Sequence, residues 1–261
     1  MDATFGTLLK DWRARRRLSQ MDLGLAANVS ARHICFLETG RARPSQPMVR
    51  HLSEVLEMPR TARNSLLQAA GFSAAYRARD PEAAELAPVR AAVDWTLERH
   101  DPYPGIALDR HWRLLQLNRC ASALLGALGV GVGDSLLEAF LAGGPFREAM
   151  ANRDEVARHM AVRLQTESSH FGGDPVLEQA AERLRNLTTG RAPTVEAPAP
   201  AVIPVVYRAG GLELSLFSTL AQFGSTEDVA LADLRIELMF PADEASKAAL
   251  VQLAGPVPGR R

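Results

Sequence analysis

The 261-residue chain has little of several things that would narrow its chemistry. It holds only two cysteines, Cys35 and Cys120, in segments predicted to be helices far apart in sequence. That excludes a disulfide framework and any C-x-x-C redox or metal motif, and predicts a reduced, cytoplasmic protein. Aromatic residues make up 6% of the chain against 47% for all hydrophobics, so the cores must be mainly aliphatic. No H-E-x-x-H run is present, and no Ser/Lys pair sits at a recognisable nucleophile elbow. Gly126, Gly129, Gly131 and Gly133 form a loose Gly-rich loop. Their spacing is not G-x-G-x-x-G between strand and helix, and no Gly-Lys-Ser/Thr follows, so no dinucleotide or phosphate site is expected. The reading is therefore of a non-enzyme with no catalytic residues, no metal and no cofactor. The most apolar stretch, residues 120–132, is too short and too rich in Gly and Ala to span a bilayer. Residues 5–17 are amphipathic and charged, which predicts neither a leader nor a membrane partner.

Net charge is also lacking, with thirty basic residues balancing thirty acidic ones, but the balance is uneven along the chain. Residues 1–72 carry eleven Lys/Arg against six Asp/Glu, leaving nineteen against twenty-four for the remainder. A basic head on an acidic body is the footprint of one part that meets phosphate and one that does not.

Within the head, residues 17–40 organise the rest. Ser19 precedes an apolar-periodic run through Leu23, Leu25 and Ala26, with Asp22 in the first turn, which predicts a capped helix. Asn28 tolerates the left-handed conformation of a tight turn. Ser30 then caps a second helix with Ile34 and Leu37 inward, and Gly40 is its expected left-handed stop. Two capped helices joined by a short turn make a helix-turn-helix. A helix over residues 5–16 precedes it, with Phe5, Leu8, Leu9 and Trp12 on one face and Arg13, Arg15, Arg16 and Arg17 at its end. Those arginines are open to either solvent or DNA backbone. Ser45 caps a fourth helix with Val49, Leu52, Val55 and Leu56 inward, and a fifth covers residues 61–70.

The stretch Leu18-Ser19-Gln20, Leu23, Ala26, Val29-Ser30, Ile34, Leu37-Glu38 and Gly40 resembles the helix-turn-helix of the phage-repressor-like (XRE) regulators over residues 5–72. An all-α, five-helix DNA-binding head at residues 1–72 follows, with double-stranded DNA as partner. The second helix of the motif enters the major groove. Its outward candidates are Ser30, Ala31, Arg32, His33 and Phe36. Arg32 is the favoured base reader, because a guanidinium grips the two acceptors of guanine bidentately. Gln20 matches the family position that contacts backbone, and Arg41 and Arg43 are expected at phosphates.

Residues 73–88 have alternating charges and two prolines, and a linker is read at 73–86. The body follows: a helix over residues 89–99, short strands at 106–109 and 112–117, and a helix capped by Asn118. Helices at 135–141, 154–167 and 175–187 and an extended Ala/Pro-rich stretch at 190–204 come next. Alternation then marks strands at 204–208, 212–223 and 234–240, with Arg235 and Glu237 opposite the apolar residues of the last. A terminal helix closes the chain. This is an α+β layer.

Asp101-Pro-Tyr-Pro, Asp109-Arg-His-Trp112, Asn118, Glu213-Leu-Ser-Leu-Phe-Ser-Thr219, Phe223-Gly224, Leu234-Arg-Ile-Glu-Leu238 and Phe240-Pro-Ala-Asp243 look like the ligand-binding domain of MmyB-like regulators. The resemblance implies a PAS-like fold over residues 87–255 and a fatty acid or similar lipid as bound ligand. Trp112, Phe217, Phe223 and Phe240 are the candidate pocket aromatics, each equally readable as core. Arg110, His111 and Arg163 are the cations available to a carboxylate, each read first as a surface residue. The expectation is a homodimeric regulator whose operator occupancy follows a small apolar ligand. The alternatives are a DNA-binding head fused to a protein-interaction or dimerisation module, or to an enzyme domain.

Overall fold

The computed structural model describes residues 4–76, 79, 83–188, 202–209, 211–223 and 228–255. Most of the Ala/Pro-rich stretch, part of the expected linker and Gly224 lie outside the described residues. The described chain divides into two units, one of residues 4–76 with 165–175 and 228–229, the other of the rest.

Side-chain oxygens set where the head's helices begin. Thr4, Ser19, Ser30 and Ser45 each accept a backbone N–H at the start of α1 (Phe5–Arg15), α2 (Gln20–Ala26), α3 (Ala31–Glu38) and α4 (Gln46–Val55). At Ser19 the bond is reciprocated, because Asp22 accepts the Ser19 N–H at 2.8 Å in a complete capping box. Helix α5 (Arg60–Ala69) follows. Left-handed residues set where helices stop. Asn28 (φ 53°) ends α2 and Gly40 (φ 72°) ends α3. At Gly40 the Arg41 N–H reaches the Phe36 carbonyl at 2.8 Å and the Gly40 N–H reaches that of Leu37 at 3.3 Å, a Schellman closure. Phe5, Leu9, Trp12, Leu23, Ile34, Leu37, Val49, Leu52, Leu56, Leu66 and Leu67 form one buried cluster.

A polar clamp fixes α3 against α1 and α2. The Glu38 carboxylate, its side chain 3% exposed, takes Arg13 Nε at 2.6 Å and Nη2 at 3.1 Å, and Gln20 Nε2 at 2.7 Å. Gly6 lets α1 lie against the same place, since a Cβ there would collide with the Glu38 carbonyl. Burial alone favours the protonated form of Glu38. The bonds from Arg13 and Gln20, with the nearby positive charges, outweigh it and hold the carboxyl below its ordinary value. Arg16 donates instead to the carbonyls of Leu56 and Glu57, both at 2.8 Å, and stacks over Trp12. Two of the four clustered arginines are thus joints of the head.

The second unit begins with a 3-10 turn and α6 (Ala87–His100). Strands β1 (Gly105–Leu108) and β2 (Leu114–Leu117) form a hairpin, followed by α7 (Arg119–Gly126), α8 (Leu136–Ala142), α9 (Pro145–Glu148), α10 (Arg153–Phe171), whose residues from 165 on count with the first unit, and α11 (Pro175–Leu187). Then come β3 (Val205–Ala209), β4 (Leu212–Gln222), α12 (Val229–Ala232), β5 (Arg235–Pro241) and α13 (Glu244–Ala254). Among the described residues, all five strands join in one antiparallel sheet of order β2-β1-β5-β4-β3. The α+β, PAS-like expectation holds. The sequence reading missed the short helices α9 and α12 and undershot α10.

Buried Asn118 ties this unit's first half together. Its Oδ1 accepts from Gly105 at 3.0 Å and Ala121 at 2.9 Å, while Nδ2 donates to Leu97 at 3.2 Å and Tyr103 at 2.8 Å. Every hydrogen-bonding site of the amide is used. Strand alternation splits the sheet into two covered faces. Ala107 and Ile236 pack with Val93 and Leu97 of α6 on one. Leu216, Glu237 and Met239 look to the other, toward α8, α9 and α10.

The clamp gives the first prediction. Glu38→Gln leaves a nearly buried guanidinium without its counter-charge, and should destabilise the head by about 3 kcal/mol in urea denaturation of the full chain. Because Glu38 is depressed on folding, its contribution is full above the ordinary carboxyl value of 4.5 and is lost as pH falls through the lower folded value. The gap between wild type and variant should therefore close in acid. A gap independent of pH would mean that packing, not charge, holds α3.

Candidate DNA interface and ligand cavity

Helix α3 is anchored by Ile34 and Leu37, both fully buried, which fixes what its other residues can face. Arg32 is exposed, and its guanidinium lies 5.3 Å from the ring centroid of half-buried Phe36 one turn on. Stacking of this kind stiffens a long side chain in an outward pose. The structure so brings together two of the residues singled out from sequence. Ala31 and His33 are half-buried beside them. Ser30 is exposed, with its Oγ accepting the His33 N–H at 3.2 Å. Arg41 and Arg43 are exposed just beyond Gly40, at the opposite end of α3. Gln20 is half-buried and its amide nitrogen is committed to Glu38, which ties it to the helix clamp.

In the second unit, one sheet face and the helices above it line a cavity of about 510 Å³. Its walls are apolar: Leu136 and Phe140 of α8, Phe146 of α9, Val156 and Met160 of α10, Leu216 of β4. That is the size and lining of a small-molecule site. Trp112 and Phe217 border it; Phe223 and Phe240 do not. Phe240 stacks on Phe217 at 5.6 Å and meets His100 edge-on, while Phe223 packs against the cluster under α6.

Trp112 is held there by its turn. Asp109 Oδ1 accepts the N–H groups of His111 at 2.8 Å and Arg113 at 2.9 Å, and its carbonyl takes that of Trp112 at 3.1 Å. The turn forces Trp112 to a φ of 61°, a conformation that costs a bulky residue on the order of 1–3 kcal/mol. The Arg163 guanidinium sits 4.2 Å from its ring centroid. Arg163 Nη1 also reaches Glu237 Oε1 at 3.3 Å, and Ser218 Oγ donates to the same oxygen at 2.5 Å. Buried Tyr207 borders the same region. Burial, then the charge of Glu237, push its phenol up, so it stays neutral. Arg110 pairs with Asp233 at 3.6 Å, and neither it nor His111 borders the cavity.

Sequence reasoning left Arg163 as a surface residue and missed Glu237, Ser218 and Tyr207. Glu237 did give a signal, as a charge inside an alternating strand. It was legible only as a solvent-facing residue, because nothing local says that helices cover that face.

Among the described residues, no cluster of His, Cys, Asp or Glu has the makings of a metal site, and no helix is long and apolar enough to cross a membrane. Both cysteines are free, and burial first of all pushes the Cys120 thiol up to about 12. Compared with known proteins, residues 4–66 match the model of a helix-turn-helix domain. Residues 89–253 match that of the MmyB-like transcription regulator ligand binding domain. No curated protein matches the chain. The head is that of a DNA-binding regulator, and with well over half of its length matched the chain belongs to the family of MmyB-like transcription regulators.

Proposed function

We propose that the protein is a sequence-specific transcription regulator whose operator binding is modulated by a small apolar, fatty-acid-like amphiphile. The proposed division is a DNA-binding domain at residues 1–72, a linker at 73–86 and a ligand-binding domain at 87–255. The observation that carries this reading is the apolar cavity of about 510 Å³ with one charged pair inside it, in a chain that also holds a helix-turn-helix. Trp112 and Phe217 are the proposed aromatic contacts to the ligand, with Phe223 and Phe240 supporting the sheet behind them. The regulator acts in the cytoplasm, where its DNA is, and carries no catalytic step. It binds as a homodimer, since paired half-sites one helical turn apart are how such heads read an operator.

On DNA, Ser30, Ala31, Arg32, His33 and Phe36 face the bases, and Arg41 and Arg43 meet phosphates. Gln20 touches backbone while keeping α3 in place through Glu38. Arg32, exposed and braced on Phe36, grips guanine.

The two kinds of arginine separate in a binding-site selection. Losing a bidentate grip costs about 1–3 kcal/mol and relaxes preference at one base pair. Arg32→Ala should therefore flatten the selected motif at one position per half-site. Arg43→Ala should keep the motif and weaken all sequences alike, lowering the salt slope by about one. An unaltered motif from Arg32→Ala would move the reading role to Ser30, His33 or Phe36.

The cavity has its own test. A ligand that binds only the folded state stabilises it by mass action. Stripping bound lipid from the full chain should lower its melting temperature, and a panel of dodecyl amphiphiles should restore it. Indifference to every member would favour an interaction module over a ligand site.

A further inference from the structure

Helix α6 is apolar on two sides. Val93 and Leu97 face the sheet and are buried. Pro88, Ala91 and Trp95, three and four residues apart, make a second line on the opposite side, and all three are exposed. Trp95 is 61% exposed, and among the described residues no other Trp, Tyr or Phe is exposed. A helix that is apolar all round is one covered on more than one side. The Arg99 guanidinium lies 5.4 Å from the Trp95 ring centroid and braces the indole in its outward pose.

The charges of this helix sort by end. Glu85, in the 3-10 turn before α6, Ala92, and Arg99 in the last turn follow one another at intervals of seven, so they share one flank of the apolar line. All three are exposed. The acid and the base are about 20 Å apart by helical rise, with the small residue midway. The charges between them are drawn to their own unit: Arg90 donates to the Ala83 carbonyl at 3.0 Å, and Asp94 accepts from the Gln116 amide of β2.

We propose that the exposed side of α6 is the contact between two copies of this chain, packed antiparallel about Ala92. The proposal rests on the homodimer argued above and names the surface that makes it. Turning a second copy end for end about Ala92 sets Glu85 of each copy beside Arg99 of the other, twice by symmetry. It lays each Trp95 between Pro88 and Ala91 of the other copy, where small side chains leave room for an indole. It also brings each Glu98 to the first turn of the other α6, where the helix dipole favours an acid. A foreign partner has no reason to match a helix that is acidic at one end, basic at the other and small in the middle; a second copy supplies that match. One pair of four-turn helices is small beside the roughly 1,200 Å² of a stable interface, so the dimer is weak and forms with rising concentration.

The experiment is analytical ultracentrifugation of the full chain over a concentration series. Wild type should pass from monomer to dimer as concentration rises. Trp95→Ala, at an exposed position, should weaken dimerisation about tenfold or more, as truncating an aromatic anchor does. Glu85→Arg and Arg99→Glu should each weaken it as well, because each sets like charges together at both ends of the pair. Mixed one to one, those two variants should associate again, since opposite charges then meet at both ends. Misfolding in either variant would not give that recovery. If wild type dimerises and none of the three substitutions changes it, the homodimer stands but α6 is not its contact, and the proposal is overturned. If the two charge variants are weak alone and stay weak when mixed, the antiparallel pairing is overturned. If wild type stays monomeric, both free and on DNA carrying two operator half-sites, the proposal and the homodimer fall together.

Discussion

The head depends on one buried carboxylate. Glu38 sits at the C-terminal end of α3, the helix proposed to meet DNA, and it draws Arg13 from α1 and Gln20 from α2 to the same two oxygens. The C-terminal end of a helix is where a carboxylate is least welcome, since the dipole there is negative. It stays because a bidentate guanidinium and an amide answer it at under 3.2 Å. Apolar packing of Ile34 and Leu37 would hold α3 down but leave it free to slide or roll, because hydrophobic contact has little direction. The clamp supplies the direction. With α3 fixed in roll, Arg32 and Phe36 are fixed on its outer side, and the basic loop after Gly40 starts from a defined point.

The ligand unit uses the same device with a different purpose. Its buried pair, Arg163 and Glu237, joins a helix to the sheet across a space that apolar residues leave unfilled. A core of this size with apolar walls would ordinarily close to crystal-like density. Here the turn at Asp109 spends backbone strain on placing Trp112 at the edge of that space, against the guanidinium. Strain at a residue bordering a cavity is expected where geometry serves a ligand rather than stability.

Much of this was legible in the sequence, and the split follows a physical line. Caps and stops are local chemistry. Ser19, Ser30, Ser45 and Asn118 announced helix starts, and Asn28 and Gly40 announced their ends, because each acts within four residues of itself. Alternation placed the strands for the same reason. What was not legible depends on partners far along the chain. Arg13 and Arg16 look like a phosphate-binding cluster until Glu38 and the end of α4, some 25 and 40 residues on, claim them. Glu237 looks solvated until Arg163 covers it from 74 residues away. Phe240 and Phe217 are neighbours in the sheet, yet only Phe217 borders the cavity, a difference that alternation alone leaves undecided.

The central claim is that occupancy of the cavity and occupancy of the operator share one free energy. Linkage makes that claim reciprocal: whatever factor the ligand changes in operator affinity, the operator must change in ligand affinity. Both factors are measurable on the full chain, the first by fluorescence anisotropy of operator DNA with and without saturating amphiphile, the second by titration of the amphiphile with and without operator. The account predicts two equal factors of about fivefold or more. An amphiphile that binds one per chain and leaves operator affinity unchanged would contradict it.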